Sequence, residues 1–117
     1  VPRWVYKILR PSEWAEFERD GHFAGSPIDR QDGFIHLSYA QQVQETARRH
    51  FAGEKSLWLL AIRSDALGPA LRDEPSRGGE LFPHLYASLT RSQVAQTMPC
   101  TAGTDGFPLV PFLEDEV

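Results

Sequence analysis

Asp29-Arg30-Gln31-Asp32-Gly33-Phe34-Ile35-His36-Leu37-Ser38 sets two carboxylates, a guanidinium and an imidazole in front of a short apolar run. So many polar groups in so few residues either turn the chain or hold a polar ligand through charged hydrogen bonds. Strand alternation sends Phe34, His36 and Ser38 to one face and Ile35 and Leu37 to the other. If the aliphatic pair faces the core, His36 and Ser38 face outward or into a cleft. Asp32-Gly33 is also a turn signature, because glycine accepts positive φ, so Asp32 reads first as a turn former. Asp29 has no such local explanation. Taken alone, His36 also reads as a structural histidine with its hydrogen bonds satisfied in the fold.

Similar chemistry recurs between Arg72 and Tyr86, where two arginines, three acids, paired glycines, His84 and Tyr86 fall within fifteen residues. Ser76-Arg77-Gly78-Gly79 could offer backbone N–H groups and a guanidinium to an anion. His84 and Tyr86 share one face of a strand pattern in Pro83–Ala87. A salt-bridged surface loop is the alternative for this stretch. Two such clusters, each at the edge of a short strand, predict one cleft in which His36 lies near Arg72, Arg77 or His84. The candidate ligand-binding residues are Asp29, Arg30, Ser38, Arg72, Arg77, His84 and Tyr86, and the candidate catalytic residues are His36 and Glu74.

Other chemistries find less support. His36 and His84 with Asp29, Glu74 or Glu80 lack the short fixed spacings of H-x-x-x-H or H-E-x-x-H, so no metal site is expected. A G-x-S-x-G nucleophile elbow is absent. So are the G-x-G-x-x-G and G-x-x-x-x-G-K phosphate loops. The single Cys100 excludes an internal disulfide framework. A formal charge of −4 disfavours indiscriminate binding to nucleic acid or anionic membrane. Ten of the twelve basic residues are arginine, the side chain that grips phosphates and carboxylates through paired hydrogen bonds, although a GC-rich genome would also favour it.

The elements that must carry these residues can be traced along one domain, residues 1–117. Trp4–Leu9 reads as a strand. Pro11–Gly21 reads as a helix with a Ser12 N-cap and a glycine stop. Phe34–Leu37 is a second strand, and Ser38 with Gln41 forms a capping box for a helix ending at Gly53. Leu57–Ile62 is the longest apolar run, a central strand buried on both faces and far short of the roughly 20 residues of a membrane span. Residues 72–82 read as a polar loop, Pro83–Leu89 and Gln93–Thr101 as strands, and 106–112 as irregular packing. The expected class is α+β, with two main helices and a mixed or antiparallel sheet. With no secretory leader pattern, a cytoplasmic protein is expected.

The runs Ser26–Ser38 ("SPIDRQDGFIHLS"), Glu45–Gly53 ("ETARRHFAG") and Leu71–Tyr86 ("LRDEPSRGGELFPHLY") resemble the bacterial domain-of-unknown-function family 952 over almost the whole chain. More distantly, the order of elements is similar to that of the RNA 2′-phosphotransferases, NAD-using enzymes with an ADP-ribosyltransferase-like fold. Tyr6-Lys7-Ile8, Trp14–Gly21, Phe34–Ser38, Thr46-Ala47 with Arg49-His50, and Leu57–Ile62 followed by Asp65-Ala66-Leu67 carry that likeness. The first strand of those enzymes ends in His-Gly-Thr where this chain has Lys7-Ile8-Leu9, and their RNA-binding lobe has no counterpart here.

What the resemblance implies is an ADP-ribosyltransferase-like α+β domain with a cleft for NAD, ADP-ribose or another phosphorylated small molecule. In a transferase, His36 and Ser38 would bond a ribose, Arg72 or Arg77 a phosphate, and Glu74 or Asp29 would stabilise an oxocarbenium-like transition state. The alternative is a non-catalytic ligand-binding or regulatory module.

Overall fold

The aromatic and β-branched side chains of Trp4–Leu9 form β1, which pairs along its whole length with β5, Ser56–Arg63. This pairing is the centre of a computed structural model that describes all residues 1–117. β4 (Ser38–Tyr39) and β9 (Val94–Thr101) flank it in a four-stranded sheet of order β4-β1-β5-β9. A second sheet has the order β3-β7-β6, formed by Ile35–His36, Leu81–Leu85 and Leu71–Pro75. A two-residue ribbon joins β2 (His22–Phe23) to β8 (Leu89–Thr90). Every pairing is antiparallel. The class is α+β, with helices α1 (Pro11–Asp20), α2 (Pro27–Asp32) and α3 (Val43–His50).

β5 is central and covered on both faces, as its uninterrupted apolar run requires. Leu60 and Ile62 join Val5, Leu9, Phe17 and Ile35 in one core, against which Trp58 packs; Leu57, Leu59 and Ala61 join Tyr6, Ile8, Val43 and Ala47 in the other. No helix is long and apolar enough to cross a membrane.

Several boundaries differ from the sequence expectations for local reasons. α1 starts at Pro11, pre-set for the first helical position, with Arg10 rather than Ser12 as its N-cap and the Glu13 carboxylate accepting the Arg10 N–H. The capping box expected at Ser38 lies one residue later, where the Tyr39 N–H donates to Gln42 Oε1, and α3 ends at His50. The expected second strand divides at Leu37, so that β3 and β4 belong to different sheets. The expected strand after Pro83 likewise divides into β7 and β8.

Two segments expected as loops are regular. Residues 27–32 form α2, because Pro27 occupies its first turn, Asp29 caps the Ser26 N–H, and Gly33 ends it at φ 88°. Residues 71–75 form β6, a strand whose charged side chains are those of an exposed sheet edge.

Candidate functional site

Asp29 is the anchor. The third residue of α2, it is 1% exposed and takes four donors. Oδ2 accepts from Lys7 Nζ and from the Ser26 N–H, both at 2.9 Å. Oδ1 meets the His36 N–H at 3.1 Å and His36 Nδ1 at 2.6 Å. Lys7 is itself buried, since β1 alternation turns it toward the side of Val5 and Leu9, and it also donates to the His36 carbonyl at 3.1 Å. Burial pushes the Asp29 carboxyl up. The bond from His36, the charge and bond of Lys7 and the Ser26 amide outweigh it and hold Asp29 well below the usual carboxylate range.

The other nitrogen of His36, Nε2, lies 2.9 Å from Asp32 Oδ2. The Nε2–Asp32 approach is a charge pair when the ring carries both protons. Asp32 does close α2 before Gly33, and it is also part of the site.

His84 stands opposite His36 in the β3–β7 register, their ring centroids 5.6 Å apart. Phe34 stacks on His84 at 4.0 Å. Glu74 Oε1 accepts from His84 Nδ1 at 2.8 Å and from the Tyr86 hydroxyl at 2.7 Å. Those two bonds hold the Glu74 carboxyl below its ordinary value, and the bond to Glu74 raises the Tyr86 phenol. His84 Nε2 is buried without a protein partner.

These elements enclose a cleft of about 600 Å³. Its walls include Lys7, Asp29, Asp32, His36, Ser38, Arg77 and His84, so the two sequence clusters do converge. Ser38 Oγ lies 3.3 Å from Thr46 Oγ1 inside it. Four candidates stand outside the lining. Arg30 donates to the Gly25 carbonyl and faces a separate depression beside α1. Arg72 lies over the Tyr86 ring, and Glu74 and Tyr86 form the brace behind His84. Lys7, Thr46 and His50 line the cleft without having been candidates. An alternating lysine in an apolar strand gives no local sign of burial, and although Thr46 and His50 share a helix face by their spacing, that face meets the cleft only once α3 is packed in the fold. No three His, Cys, Asp or Glu side chains are grouped to hold a metal ion.

The profile of the family described as Protein of unknown function (DUF952) matches residues 8–97. The chain belongs to this family. All the cleft residues named above except Lys7 fall within that match. Among solved structures, the chain is similar to the crystal structure of protein CC0527 from Caulobacter crescentus. The two share 45% identity over 91% of this chain and 93% of that one, with a TM-score of 0.88. The solution NMR structure of CC0527 gives 46% identity, 90% of each chain and a TM-score of 0.82. Among curated proteins none matches.

Proposed function

We propose that the cleft is a proton-transfer site for a small phosphorylated or nucleotide-like ligand, with His36 as the acid–base group and Asp29 as its positioning residue. The observation that carries this reading is the investment in Asp29: four donors hold one buried carboxylate so that its Oδ1 fixes the ring of His36 at a cleft wall. A ligand oxygen that displaces Asp32 from beside Nε2 would lie where the protonated ring can give it a proton. Ser38 and Thr46 supply neutral hydroxyls for the polar part of such a ligand. For glycosyl transfer, Asp32 is better placed than Glu74 to face a developing positive charge. Its Oδ2 reaches the cleft wall, whereas Glu74 is held behind His84. NAD and ADP-ribose are the first ligands to try, on the strength of the sequence likeness to NAD-using transferases.

A bracing role is the second reading, favoured by the fact that both His36 nitrogens already have partners. The test is an amide NMR titration of the protein with NAD, ADP-ribose and ribose 5-phosphate, run beside His36→Gln. Saturable shifts centred on residues 36–38 and 46, lost in a His36→Gln variant of unchanged melting temperature, support the acid–base site. No shift at these residues with any of the three ligands, together with a strongly destabilised His36→Gln, supports the brace.

A further inference from the structure

The geometry points to the Arg77–His50 side of the cleft as a seat for the phosphate of a phosphomonoester, whose remaining atoms then extend toward His36. This deepens the reading of the cleft as a ligand site and rests on it.

Lys7, Arg10 and Arg77 are the lysine and arginine side chains on the cleft wall. Lys7 is consumed by Asp29 and the His36 carbonyl. Arg10 lies over the Phe51 ring and pairs with Glu54 at 3.3 Å. Arg77 alone has no carboxylate or carbonyl partner; its guanidinium lies 4.8 Å from the centroid of the Phe82 ring. A cation–π contact uses none of the N–H donors of the guanidinium, which leaves them ready for an oxyanion. The carboxylates that could compete are already matched. Asp29 is bound by Lys7, Asp32 by His36, and Glu13 accepts the Arg10 amide.

His50 closes α3, where the helix C-terminus favours a protonated imidazole. Its pKa is nevertheless lowered, first by partial burial and then by the charges of Arg77, Arg49 and His36. The field that discourages a proton on His50 is the field an incoming dianion would meet. A phosphate seated there would favour the protonated ring and gain its N–H as a further donor. Arg72 provides the control. It is also without a carboxylate partner, but it lies over Tyr86 and outside the cleft lining.

The experiment measures calorimetric affinity and amide NMR shifts for inorganic phosphate and for ribose 5-phosphate. The proteins are wild type, Arg77→Ala, His50→Gln, Arg72→Ala and His36→Gln, each with its melting temperature recorded. Saturable shifts at residues 76–79 and His50 are expected with both probes. Arg77→Ala should weaken ribose 5-phosphate by about 10- to 100-fold, the range of a lost charge-assisted bond. His50→Gln should weaken it less, and Arg72→Ala should leave it unchanged. The histidine NMR titration of His50 should move to higher pH in saturating phosphate.

The seat is overturned if neither probe binds, or if Arg72→Ala weakens binding as much as Arg77→Ala. It also fails if ribose 5-phosphate shifts His36 while Arg77→Ala keeps wild-type affinity; in that case the acid–base reading survives. Binding that depends on Arg77, with no shift at residues 36–38 and no effect of His36→Gln, would keep the seat and remove the acid–base reading.

Discussion

Asp29 shows how one residue can serve stability and chemistry together, and its two contributions are separable by experiment. Asn at this position keeps the shape but leaves Lys7 buried without a counter-charge. Removing one member of a buried ion pair costs roughly 3–5 kcal/mol, so Asp29→Asn should lower the urea midpoint strongly at neutral pH. The sign of the pH dependence follows from the lowered carboxyl. A group whose folded pKa lies below its unfolded value contributes fully above the ordinary aspartate range, about pH 4, and loses that contribution as pH falls toward the folded value. The gap between the urea midpoints of wild type and Asp29→Asn should therefore narrow, without closing, as pH is taken from neutrality to about pH 3. A constant gap would show that Asp29 stabilises through shape rather than charge. Asp29 was legible in the sequence because no turn explained it. Its partner Lys7 was not, because the pairing spans 22 residues of chain and is made only when α2 closes over β1.

At the scale of elements, α2 is the piece that brings the site together, and its entry is tightly constrained. Gly25 sits at φ 120°, and a Cβ there would fall 2.7 Å from the Asp29 Cβ. Gly25→Ala thus combines left-handed strain, on the order of 1–3 kcal/mol, with a push on the anchor carboxylate. We expect lower stability together with shifted amide resonances at His36 and Ser38, read by NMR. A destabilised variant with unmoved site resonances would mean that α2 does not position the site. The helix escaped the sequence reading because Ser26–Gly33 is short, polar and rich in turn formers, and its stability comes from Asp29 capping plus tertiary contacts. β6 escaped for a similar reason: Arg72-Asp73-Glu74 has no apolar alternation, since an edge strand is defined by its partner β7. The central strand was legible because six consecutive apolar residues suit only a position covered on both faces. Leu60→Ala, at 0% exposure, should accordingly cost about 2–5 kcal/mol in denaturant unfolding.

Over the whole molecule, β1 and β5 are shared by two cores that lie on opposite faces of one sheet, and the C-terminal segment closes the second of them. Val110 and Leu113 pack on the core of Tyr6, Ile8, Val43 and Leu57. The Tyr6 hydroxyl donates to the Glu114 carbonyl at 2.7 Å, the Trp4 N–H to the Asp115 carbonyl at 2.7 Å, and Arg3 pairs with Asp115 at 2.9 Å. Burial, followed by the charges of Glu114 and Asp115, raises the Tyr6 phenol, so it remains a hydroxyl donor through neutral pH. Tyr6→Phe should cost on the order of 1 kcal/mol for that bond, and removal of residues 107–117 should cost several-fold more by uncovering the apolar contacts as well. The cleft is lined from both cores, by Leu37 of the first and by Tyr6 and Ile8 of the second, and both cores depend on the same two strands, so damage to one should not leave the other folded. Trp14 belongs to the core of Leu60 and Ile62 and Trp58 packs against it, whereas Trp4 packs on the second core. In a Trp4→Phe background, the fluorescence of Trp14 and Trp58 and the far-UV circular dichroism of the truncated chain should therefore change in a single coincident transition at a lowered midpoint. Two separated transitions, with the tryptophan signal surviving the first, would show instead that the core of Val5, Leu60 and Ile62 folds independently of the face that the C-terminal segment covers.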